Sequence, residues 1–160
     1  VDLNDEGKLP HSPQLDFAHE ILYSLNKTSF WQCGRIRVFL EAKKVIIEVS
    51  PLLNVPSSLK EFRQSLKKIL RGEEVKSSKT KLLTIRKNMK QLPKRRFTVS
   101  PHANKVIDPN SLVNSSVLLC LSLNDERGHY DHACFSKYPL SPLNQCMSVV
   151  SAYENANNIF

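Results

Sequence analysis

Residues 117–123, VLLCLSL, carry no charge and a single polar side chain. Seven residues is the length of a strand. A strand apolar on both of its alternating faces needs a covering layer on each. The flanking sequence supplies helical patterns, and helices interleaved with strands of this kind imply an α/β layer fold.

The remaining elements follow from spacing and punctuation. Phe17, Ile21, Leu22 and Leu25 recur at helical intervals over 16–25, with Asp16 expected to cap the free amides and Gly34 to close the unit. Residues 36–40 and 45–49 suit a hairpin joined through Ala42-Lys43-Lys44. Pro51 and Pro56 bracket a loop, after which Ser58-Leu59-Lys60-Glu61 has the form of a capping box. Leu59, Phe62, Leu66, Ile69 and Leu70 then make one stripe that Gly72 ends. A charged loop is expected over 73–80, short strands over 82–85 and 97–99, and a polar loop over 124–132. In the last helix Ser141 caps, Pro142 takes the first position, and Leu143, Met147, Val150 and Tyr153 or Ala156 are expected to face inward. Residues 1–13 are expected to form a loose lead-in and 14–160 a single domain.

The chain has 160 residues and a formal charge of +8. Fourteen of its 23 lysines and arginines lie between Lys60 and Arg96, against Glu61, Glu73 and Glu74. Such a segment attracts phosphate polyanions, or else is a solvated helix face followed by a lysine-rich loop. No apolar run approaches the roughly 20 residues of a membrane span, and 1–13 lacks a signal-peptide pattern. Cys33, Cys120, Cys134 and Cys146 form no C-x-x-C pair and are expected to be reduced thiols, as in the nucleus or cytosol. The cluster from His129 to Cys134 matches no standard metal-ligand spacing, and no metal is expected.

The C-terminal segment YPLSPLNQCMSVVSAYE (138–154) resembles that of the ribosomal-RNA pseudouridine methyltransferases of the "essential for mitotic growth" type, in the SPOUT or α/β-knot superfamily. That family shows NYPLS and then a helix with cysteine, alanine, an aromatic residue and glutamate; Cys146, Ala152, Tyr153 and Glu154 stand in those places. VIIEVSPLLNVPSSLKEF (45–62) resembles the family's VLIEVNP…IPRTFKRF, KLLTIRKN (81–88) its KLLKVIKN, and Asp16-Phe17-Ala18-His19 its DITH. The likeness runs from about residue 12 to 160; the family's first strands have no counterpart, which implies a shortened chain.

The resemblance implies a mostly parallel sheet flanked by helices, a C-terminal trefoil knot, S-adenosylmethionine as cofactor, and a homodimer acting on the pre-ribosomal small subunit, without a membrane, in the nucleus and nucleolus or the cytoplasm. It implies a cofactor site of Ser100, Ser122, Gly128 and the turn Phe135, Ser136, Lys137, Tyr138, Pro139 and Leu140. Asp16 corresponds to a catalytic position, and Lys60, Lys87, Lys90, Lys94, Arg95 and Arg96 would meet RNA.

This chain also departs from the family pattern. Where the family carries three arginines around its IPRT turn, it has Asn54, Ser57 and Glu61, and Gln14 stands in place of the arginine before Asp16. Each lost charge-assisted phosphate contact is worth about 1.5–3 kcal/mol. The family's glycine-rich loop GAFAHG is matched only by Gly128. Two readings therefore stand: a pseudouridine methyltransferase of small-subunit rRNA, and a catalytically degenerate relative serving as an RNA-binding assembly factor or structural ribonucleoprotein subunit.

Overall fold

The computed structural model describes residues 12–42, 45–123 and 130–159. The chain divides into two compact units, 1–90 and 91–160.

The first unit begins with helices α1 (Pro13–Asn26) and α2 (Ser29–Gln32). Ser12, not Asp16, caps α1: its side chain accepts from the Leu15 N–H, and Asp16 falls inside the first turn, where an acid still meets the positive end of the helix dipole. Strands β1 (Val38–Glu41), β2 (Ile46–Val49), β3 (Val75–Ser77) and β4 (Thr80–Arg86) form an antiparallel sheet in the order β1-β2-β4-β3. The expected hairpin is thus present. The expected loop over 73–80 instead contains β3, because Ser78 takes the left-handed conformation (φ +54°) that a tight hairpin turn requires.

Helix α3 (Leu59–Leu70) packs against β3 and β4 through its stripe. Phe62, Leu66 and Ile69 are buried, as are Leu15, Leu22 and Leu25 of α1 and Ile47, Val49 and Leu83 of the sheet. Each such side chain contributes roughly 1.5–3 kcal/mol. Gly72 ends α3 at φ +81°, a conformation a side chain would strain. The Ser58–Glu61 capping box is not formed: the Ser58 side chain makes no capping hydrogen bond, and Glu61 is exposed.

The second unit holds β5 (Arg95–Val99), a 3-10 turn (Pro109–Ser111), β6 (Val117–Cys120), β7 (His132–Ala133) and helix α4 (Pro142–Ala156). Here the sheet is parallel, in the order β6-β5-β7. The apolar run at 117–123 therefore lies at an edge, and its four strand residues are half-buried, not enclosed on both faces. Phe97, Val99, Leu112, Ala133, Phe135 and Val149 form the core, with Val117, Leu119 and Tyr153 against it. Ser141 caps α4 and Pro142 opens it, as expected. Its buried residues, however, are Gln145, Cys146, Val149, Val150 and Ala152, while Leu143 and Met147 are only half-buried.

Candidate functional site

Strands β5, β6 and β7 are consecutive in the chain, yet β5 lies between the other two. The connection from β5 leads to one side of it, and the connection from β6 returns to the other. In open parallel sheets such a reversal leaves a crevice at the carboxyl ends of the strands, where ligands bind. Thr98 pairs with Cys120, and Val99 with Ala133. Two residues beyond the first pair stand Ser100 and Ser122; just beyond Ala133 the turn 135–140 begins. Ser100, Ser122 and that turn therefore issue from the same end of one sheet.

The strand ends are firmly held. Ser100 is buried; its N–H donates to the Ala133 carbonyl at 3.0 Å, and its hydroxyl accepts from the His102 N–H at 3.4 Å. Thr98, also buried, donates its N–H to the Asp131 carbonyl and accepts from the Tyr130 N–H through its hydroxyl. Beyond β7, Cys134 exchanges main-chain bonds with Lys105 and Ile107 at 2.8 Å each, so the segment 105–107 runs alongside.

The turn is braced from inside. The Phe135 N–H donates to Oε1 of Gln145 at 2.7 Å, and Nε2 of Gln145 donates to the Leu140 carbonyl at 2.9 Å. One side chain, 0% exposed, thus closes both ends of a six-residue bend. Within the bend the Tyr138 N–H donates to the Ser136 hydroxyl, the Leu140 N–H to the Tyr138 carbonyl, and the Cys134 thiol to the Ser136 carbonyl. Among the described residues, the main-chain N–H and carbonyl of Lys137 and the carbonyl of Pro139 make no intramolecular bond. Lys137, Tyr138 and Pro139 are exposed. A stiff bend that keeps unused backbone donors and acceptors suits the edges of a purine and a ribose, with little ordering cost on binding.

Gln145 was absent from the expected site. Its signal lay in the stripe 145/146, 149/150, 152/153, where one polar residue occupies an otherwise apolar face. Gly128, by contrast, lies outside the described residues.

Asp16 and three of the expected RNA-facing lysines belong to the first unit. Lys60 is exposed at the start of α3, and Lys87 and Lys90 are exposed beyond β4. Asn54, Ser57 and Glu61 are likewise exposed. The loop carrying Asn54 and Ser57 is anchored by α1: His19 Nε2 lies 2.7 Å from the Pro56 carbonyl, and the Asn26 side chain donates to the Leu53 carbonyl and accepts from the Val55 N–H. On the open face of this unit's sheet, Glu48 accepts from Arg86 at 2.7 Å and from Arg37 at 3.3 Å. Burial would raise its carboxyl, but the Arg86 and Arg37 guanidiniums outweigh that and hold it below the usual carboxylate range.

In the second unit Lys94 is exposed, whereas both neighbouring arginines are engaged. Arg95 donates to the Ser111 carbonyl and the Ser115 hydroxyl. Arg96 donates to the Pro93 carbonyl at 2.6 Å and lies over the Tyr130 ring. Among the described residues no group of three or more histidine, cysteine or acidic side chains could hold a metal, and no helix is long and apolar enough to cross a membrane.

A family model described as EMG1/NEP1 methyltransferase matches residues 3–154. The chain is 29% identical, over 158 aligned positions, to a ribosomal RNA small subunit methyltransferase NEP1 of Candida glabrata, covering 88% of this chain and 69% of the yeast protein. Its fold is similar to that of Archaeoglobus fulgidus Nep1 in a crystal structure bound to S-adenosylhomocysteine. That match has a TM-score of 0.70 and 12% identity, and covers 89% of this chain and 71% of the archaeal one.

Proposed function

We propose that this chain, which belongs to the EMG1/NEP1 methyltransferase family, is an S-adenosylmethionine-dependent methyltransferase acting on small-subunit ribosomal RNA, with pseudouridine as its target base. The observation that carries the reading is the convergence of three parallel strand ends on the turn that Gln145 braces. In this reading the two units are parts of one knotted methyltransferase-like domain over 14–160, which works as a homodimer in the nucleus and nucleolus.

The residues present fit the cofactor. Ser100, Ser122 and the backbone of Phe135, Ser136, Lys137, Tyr138, Pro139 and Leu140 would hold it. When bound, S-adenosylmethionine supplies an electrophilic methyl group. The chain's own part is to orient the base after it leaves its stack and to exclude alternative geometries, so proximity supplies most of the acceleration. Asp16 is assigned to orienting the target base, and Lys60, Lys87, Lys90, Lys94, Arg95 and Arg96 to contacting the RNA backbone.

One observation favours a second reading, an RNA-binding assembly factor without turnover: the exposed Asn54, Ser57 and Glu61 present no positive charge. Titration calorimetry with S-adenosylhomocysteine separates the two. The enzyme reading requires binding at micromolar concentration or tighter, and methylation of a pseudouridine-containing RNA. Absence of binding heat, with RNA affinity retained, leaves the assembly factor.

A further inference from the structure

We infer that the outward face of α3 is a docking track for the phosphate backbone of RNA. Helical periodicity places Lys60, Lys67, Lys68 and the flanking Arg63 and Arg71 on the side opposite the buried Phe62, Leu66 and Ile69. With a rise of 1.5 Å per residue, Lys60 to Arg71 spans about 16 Å, long enough to follow several phosphates of one strand.

The state of these lysines separates this face from the ion-paired basic positions. Lys76 and Lys81 are ion-paired with Glu74 at 2.9 and 3.1 Å, and Arg37 and Arg86 with Glu48. Arg95 and Arg96 each commit one guanidinium nitrogen to carbonyl or hydroxyl oxygens. Among the described residues no carboxylate pairs with Lys60, Lys67 or Lys68, and Glu61 is the helix's one acid. Lys60 and Lys68 are exposed and Lys67 is half-exposed. A row of uncompensated cations raises the local potential and releases counterions when a polyanion docks.

A lipid surface is the poorer occupant. An amphipathic helix binds bilayers by inserting its apolar side. Here Phe62, Leu66 and Ile69 are committed to the protein core. A linear polyanion needs only the charged face.

This inference rests on the RNA-binding part of the proposed function and not on methyl transfer. The test compares the full chain with the triple variant Lys60→Gln, Lys67→Gln, Lys68→Gln. Binding of a small-subunit rRNA fragment is titrated against salt, and urea unfolding verifies that both proteins fold. Three phosphate contacts predict a salt slope shallower by about two, and affinity lower on the order of a hundredfold at 0.1 M salt. Unchanged slope and affinity in the variant, with the parent binding RNA, would overturn the track and the assignment of Lys60, and leave methyl transfer and the other RNA-facing positions standing. A parent that fails to bind RNA removes the RNA reading itself. Capture of the parent but not the variant by phosphatidylserine vesicles, without RNA binding, would assign the face to a membrane instead.

Discussion

The buried amide of Gln145 and the main-chain N–H of Phe135 meet at 2.7 Å, across ten residues of chain. The other end of the same amide holds Leu140 at 2.9 Å. Replacing Gln145 with Leu keeps the bulk but leaves the Phe135 N–H unsatisfied in the interior. We expect a loss of about 2 kcal/mol in urea unfolding. If the turn clamps the cofactor, S-adenosylhomocysteine affinity also falls roughly tenfold by calorimetry, as the loosened bend must be ordered on binding. Gln145→Glu restores the acceptor but sets a carboxylate against the Leu140 carbonyl. Its affinity should rise as pH falls and the carboxyl takes up a proton. Equal affinity in all three proteins would detach the brace from ligand binding.

Glu48 gives the first unit a pH dependence of defined sign. Its folded carboxyl lies below the ordinary value of 4.5, despite burial, because Arg86 and Arg37 flank it. Its contribution is complete above that value and is lost as pH falls through the lower folded one. Both arginines are about half exposed, so solvent screening limits the effect. Glu48→Gln should cost about 0.5–1 kcal/mol at pH 7. Denaturation curves of parent and variant should converge as the medium is acidified below pH 4.5; a constant gap would refute the linkage.

In the second unit, Tyr153 joins α4 to the turn before β6: its hydroxyl donates to the Leu112 and Ser115 carbonyls, the first at 2.9 Å. Tyr153→Phe should destabilise by about 1–2 kcal/mol. Burial raises the phenol above its usual 10.0, with Arg95 opposing. A raised folded value means this contribution is intact below pH 10 and declines above it. The phenylalanine variant should lack that alkaline decline in thermal melts.

Thiol accessibility should follow burial. Cys33 is exposed, Cys134 and Cys146 are buried, and burial pushes the Cys146 thiol up to about 11. Because the thiolate is the reactive species, a maleimide at pH 7 should modify Cys33 rapidly and Cys134 and Cys146 slowly, with all reacting in urea. Loss of the fast phase in Cys33→Ser, read by mass spectrometry, checks the assignment; rapid labelling of Cys146 contradicts it.

Much of this architecture could be read from local chemistry. Ser141 and Pro142 announced α4, Gly72 the end of α3, and the apolar stripe its buried face, because caps and periodicity act within a few residues. The errors arose where competing local options were close. Ser12 outcompeted Asp16 as a cap because it precedes Pro13, which is well placed at the first helical position. β3 was hidden by Lys76, which is tolerated on a short edge strand. The covering of 117–123 depended on strand order, which no local pattern encodes. The carboxyl ends of β5, β6 and β7 became candidates through motif likeness, whereas Gln145 emerged only once the bend and helix were seen together.

The brace on the 135–140 bend comes from a residue further along the chain. During synthesis that bend can be extruded well before its clamp exists, and it acquires its final shape only when residue 145 has left the exit tunnel and α4 has docked on the sheet. A nascent polypeptide stalled short of position 145 should therefore carry the strands without the braced bend that follows them.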